Sequence, residues 1–170
     1  ETVTISPGIT AFTPLDFTSY PWSHSLVGSV FWAVLVGAVG ARRWGTRAAA
    51  WLGAVVLSHW GLDLVTHRPD LPLWPRGPLF GLGLWQSLPA TFIVEGALWA
   101  VGIALYVAAH PARDRTGTWS FVALMLLVGL MWASGPFSPP PPSVGVLAMM
   151  GLLIGPVLAG WTAWIEAHRD

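Results

Sequence analysis

Five long, nearly uncharged apolar stretches constrain this chain more than any other feature. A bilayer span needs about 20 mostly apolar residues. Residues 23–41, 48–66, 88–109, 119–134 and 143–165 meet that need, the fourth being the shortest. Hydrocarbon offers no water to an open backbone, so each span must close its hydrogen bonds within a helix. The expected fold is an all-α, polytopic transmembrane helix bundle of about five spans. Residues 1–22 then form an extracytoplasmic segment, 23–165 the bundle and 166–170 a cytoplasmic tail. Composition closes off the alternatives. Charged residues make up 9% and hydrophobic residues 54% of 170 residues, too few charges to cover the surface of a water-soluble domain. That excludes a soluble enzyme and a disordered chain. Eight basic residues, all Arg, are balanced by eight acids, which leaves no footprint for nucleic acid. No Cys is present, so thiol nucleophiles and thiolate metal sites are excluded as well.

The connections carry the punctuation of loops. Ala41–Arg47 holds three Arg, His67–Ser87 is rich in Pro and Gly, and Pro139–Pro142 is a short polyproline stop. Pro156 predicts a kink in the fifth span, and Gly151 and Gly155 form a G-x-x-x-G pair suited to close helix contact. With the N-terminus outside, Arg42, Arg43, Arg47, Arg113, Arg115 and Arg169 fall inside, and only Arg68 and Arg76 outside. That bias sets an N-out, C-in orientation. Trp22, Trp74, Trp85 and Trp132 at one interface, and Trp44, Trp119, Trp161 and Trp164 at the other, supply the aromatic belts. The chain begins at Glu1 rather than Met, and an outside N-terminus asks for something upstream to carry it across, so a fragment of a longer protein is expected.

Ionisable side chains inside spans are functional candidates by default. In the second span His59, Asp63 and His67 recur every four residues, which keeps them on one helix face with a drift of about 40° per step. His24 opens the first span, and Glu95 lies roughly 10 Å below the outer end of the third, about level with His59. The expectation is an outward-opening cavity shared by His24, His59, Asp63 and Glu95, with His67 at its rim. Imidazole and carboxylate suit Zn²⁺, Mn²⁺ or Fe²⁺. His59 and His67 stand about 12 Å apart along the axis, so either His59/Asp63 or Asp63/His67 is the ligand pair, completed by His24 or Glu95. Such an ion would activate water as a nucleophile, with a spare carboxylate, Glu95 or Asp63, as base. Two other readings stay open at this level. The same groups could be interhelical polar glue, or one His could ligate haem or chlorophyll.

The stretches Pro7–Phe17, Tyr20–Leu26, Ser58–Leu73, Gly81–Ser87 and Ile93–Leu98 resemble a family of bacterial polytopic inner-membrane proteins. Its members are largely uncharacterised and sometimes labelled membrane-bound metal-dependent hydrolases. The resemblance implies an inner-membrane location and metal-dependent hydrolysis, which the ligand types would assign to a Zn or Mn ion and the orientation to the outer leaflet. It also implies further membrane segments upstream that carry another His and Asp. The alternative is a non-catalytic subunit of a larger membrane complex, photosynthetic or respiratory, whose partners are lipid and other membrane subunits.

Overall fold

Side-chain caps and one tight glycine fix where the helices begin and end. The computed structural model describes residues 1–170, which divide into two compact units, Glu1–Leu88 and Pro89–Asp170. In the first unit, β1 (Thr2–Ile5) pairs antiparallel with β2 (Leu15–Ser19). A single helical turn, α1 (Pro21–His24), leads into α2 (Leu26–Trp44). Ser25 separates the two helices: it is fully buried, its backbone is extended, and its hydroxyl accepts from the Gly28 amide at 3.0 Å. A hydroxyl that caps the new helix ends the old one. The first span therefore starts at Leu26 rather than near Ser23, and it continues through Arg42 and Arg43.

Gly45 alone joins α2 to α3 (Thr46–Thr66), with φ at 86°, a region that favours glycine. The two helices form a close antiparallel hairpin because small residues line the seam. A Cβ at Gly37 would stand 3.3 Å from the Ala49 carbonyl oxygen, and one at Gly53 equally close to that of Ala33. After α3, the ribbon of β3 (Leu71–Pro72) and β4 (Leu79–Phe80) and a 3-10 turn at Leu84–Gln86 fold back on the hairpin's end. The Leu82 amide donates to the Leu64 carbonyl and that of Gly83 to the His67 carbonyl.

The second unit holds α4 (Leu88–Ala109), α5 (Arg115–Ser134) and α6 (Val144–Glu166). Asp114 caps α5 through the Gly117 amide, which moves the fourth span's start back from residue 119. Phe121, Leu124 and Ile165 form its core, against Ile103, Tyr106 and Trp161. Arg169 closes one end: it is 4% exposed, donates to the carbonyls of His110 and Gly117, and lies over the Tyr106 and Phe121 rings. His110 and His168 are tied at this terminus while still reaching solvent, the former through Nδ1 to the Asp170 carbonyl at 2.9 Å and the latter 2.7 Å from Asp114. Helix α6 runs unbroken through Pro156, and a Cβ at Gly151 or Gly155 would meet no neighbour.

All five long helices, α2 to α6, are long and apolar enough to cross a membrane. Large exposed side chains such as Phe31, Leu105, Leu126, Leu130 and Leu152 cover them. Lipid is the solvent such surfaces match.

Candidate metal centre

The end of the α2–α3 hairpin away from Gly45 gathers three of the polar side chains singled out by sequence. His59 and Asp63 are one turn apart on α3, so their side chains meet: His59 Nε2 stands 3.1 Å from Asp63 Oδ2. His24, on α1, brings its Nε2 to 3.8 Å from the same oxygen. The two imidazoles meet edge to face with centroids 4.8 Å apart. One ligand atom from each residue lies within 4.8 Å of the other two. The α1 turn aims His24 because it is tied at both ends. Glu1 accepts from the Trp22 and Ser23 amides and the Ser23 hydroxyl, while Ser25 donates to the Pro21 carbonyl.

Asp63 carries the electrostatic peculiarity of the site. Its side chain is 14% exposed, and Oδ2 is buried with no hydrogen bond, even though both imidazole nitrogens stand close. A buried carboxylate oxygen without a donor is costly. Burial pushes His24 below the ordinary imidazole value, although the Asp63 charge pulls the other way, so neutrality, the ligating form, is favoured. The residues present fit a divalent cation. An ion about 2.1 Å from tetrahedral ligands sets them roughly 3.4 Å apart, and the separations of 3.1 and 3.8 Å straddle that figure. His59, at 49% exposed, leaves an open side.

His67 is placed differently from the expectation of a rim residue. It is 4% exposed and outside the group of three. The four-residue spacing that carries Asp63 onto the His59 face fails at the next step because α3 ends at Thr66, and His67 has extended backbone. Its ring is covered by Phe17, Tyr20 and Trp85, 6.5 Å from the His24 ring. Nδ1 donates to Asp70 Oδ1 at 3.0 Å. Tyr20 donates to the same oxygen at 2.8 Å, Arg68 Nε donates to Oδ2 at 2.8 Å, and Arg68 also pairs with Asp16 on β2. Burial works to raise the Asp70 carboxyl, but hydrogen bonds from His67, Arg68 and Tyr20 outweigh it and hold the group below the usual carboxylate range. Burial and then the bond to Asp70 push the Tyr20 hydroxyl far up. Sequence reasoning gave Tyr20, Asp70, Arg68 and Asp16 no part in the site. The available signal was the run His67–Arg68–Pro69–Asp70, where a Pro-bent chain returns a carboxylate to the ring three residues back.

Glu95 belongs to the second unit. On α4 its Oε2 accepts from the Trp132 indole of α5 at 2.7 Å, a donor such as a carboxylate within a span requires.

Comparison with known proteins adds a family. The model of the YdjM inner membrane protein family matches residues 13–138, a stretch that holds His24, His59, Asp63, His67 and Asp70. A UPF0182 protein of Synechococcus sp. (strain CC9605) is 29% identical over 164 residues, 91% of this chain. The chain spans 17% of the length of that curated relative. No solved structure matches.

Proposed function

The chain belongs to the YdjM inner membrane protein family, and from that premise we propose that its first unit holds a divalent metal centre, Zn²⁺ or Mn²⁺, for hydrolysis at the outer leaflet. His24, His59 and Asp63 are the ligands. The observation that carries the reading is the buried Asp63 Oδ2, without a hydrogen bond and flanked by two imidazole nitrogens. A cation there would supply Lewis-acid activation of water or of a substrate oxygen. The chain's own residues set the rest. Asp63 is fixed by its place on α3, His24 by the tied α1 turn, and the half-exposed His59 flank is where substrate would enter. His67 is a wall rather than a ligand, because its ring is packed among Phe17, Tyr20 and Trp85 and stands outside the group of three.

The test is metal content. The chain, purified in mild detergent, stripped with chelator and dialysed against Zn²⁺ or Mn²⁺, should retain one ion per chain by elemental analysis. Asp63→Asn and His59→Ala should lose it, and His67→Ala should keep it. A wild-type chain that retains no ion would leave the three residues as a polar contact between α1 and α3 and end the hydrolase reading.

A further inference from the structure

The opposite end of the same hairpin has an electrostatic problem that the metal centre does not touch. Arg42 and Arg43 lie in the last turn of α2 and Arg47 in the first turn of α3, all exposed, across the single residue Gly45. No acidic residue occurs between Asp16 and Asp63, and the three guanidinium groups make no ion pair, only a stacking contact of Arg43 over the Trp44 ring at 5.7 Å. The helix dipole accounts for two of them, because cations are favoured at a helix C-terminus. It works against the third. Arg47 stands at the positive end of α3, which has no side-chain cap and no acid in its first turn, so its first amide hydrogens also lack an acceptor within the helix. Three like charges, an adverse dipole and uncapped amides are all relieved by one thing, an anion seated at the tip.

The flanks indicate its source. Trp44, between Arg43 and Arg47, is 63% exposed and Trp51, one turn beyond Arg47 on α3, is 67% exposed, and indoles in a membrane protein settle at headgroup depth. We infer that the tip of the α2–α3 hairpin is a binding site for the headgroup of an anionic phospholipid. Its phosphate oxygens would accept from the guanidinium forks and from the open end of α3, while Trp44 and Trp51 pack beside the glycerol and upper acyl chain. This inference is independent of the metal reading.

The test uses the full chain in neutral detergent, titrated with phosphatidylglycerol or phosphatidylcholine and read by native mass spectrometry. Phosphatidylglycerol should be retained in preference to phosphatidylcholine. Arg42→Gln, Arg43→Gln and Arg47→Gln should each weaken it about fivefold, and the triple variant about a hundredfold. Arg76→Gln, on the β3–β4 loop at the other end of the hairpin, should leave retention unchanged. If the triple variant does not fold, the three single variants against Arg76→Gln answer the same question. Equal retention of the two lipids, or undiminished phosphatidylglycerol on the arginine variants, would overturn the proposal. Displacement of the lipid by millimolar inorganic phosphate would overturn the lipid assignment and leave a free-phosphate site.

Discussion

Asp70 shows how much one carboxylate can organise at a helix end. It accepts from Tyr20 before α1, from His67 at the end of α3 and from Arg68, which also holds Asp16 on β2. Two stretches of the first unit, 16–20 and 67–70, are thus tied together through a group that no helical period would pick out. Asp70→Asn removes the charge from three donors and should lower stability in detergent by about 2 kcal/mol. The pH dependence follows from the direction of the shift. Because the folded carboxyl sits below its ordinary range, its stabilisation is present above about pH 4 and is lost as pH falls through the folded value. Thermal unfolding of wild type and Asp70→Asn should differ by a constant amount from neutral pH to mild acid, then converge on strong acidification. A gap that persists at the acid end would mean that Asp70 acts by packing. The contrast with Asp63 explains what was legible. His59 and Asp63 lie within a regular helix, where spacing dictates neighbours. Tyr20, Arg68 and Asp70 lie in turns, where one Pro or one extended residue redirects the chain and spacing predicts nothing.

At the level of elements, apolar run length found every long helix, but its ends belonged to caps. The first span gave up its opening residues to Ser25, and the fourth gained a turn from Asp114. The pairing of β1 with β2 was not legible because the segment has no apolar period to mark its strands. Glycines separate positions that hold a contact from those that merely occur in helices. Gly81 has φ at 158°, and a Cβ there would run into the Arg68 carbonyl. Gly81→Ala should therefore pry the loop off the hairpin end and cost about 2 kcal/mol or more, visible as a lower unfolding midpoint. Gly151 and Gly155 face open space. Gly151→Ala and Gly155→Ala should be neutral, or stabilising by up to about 1 kcal/mol through helix propensity alone. A marked loss of stability in either would show that the G-x-x-x-G pair is packed against a partner in the isolated chain.

For the whole molecule, burial confirms what the composition implies about solvent. The fully buried hydrophobic set is small, with Leu71 and Ile165 its largest members. Most Leu, Val and Trp side chains point outward, a distribution that only a hydrocarbon medium tolerates. The medium then imposes a direction. Arg42, Arg43 and Arg47 share one end of the α2–α3 hairpin, and the metal candidates share the other with Arg68, whose charge is already paired to Asp16 and Asp70. Unpaired arginines resist translocation and stay cytoplasmic, so the His24–His59–Asp63 group should open on the outer side. The absence of Cys makes this directly measurable, since a single introduced thiol has no background. Thr46→Cys places one at the arginine tip, and Leu79→Cys places one on β4, where the side chain is exposed. In intact cells a membrane-impermeant maleimide should label the Leu79→Cys chain and spare Thr46→Cys until the membrane is permeabilised. The reverse pattern would turn the hairpin over, put the arginine tip in the outer leaflet and move any hydrolysis at the His/Asp group to the cytoplasmic face.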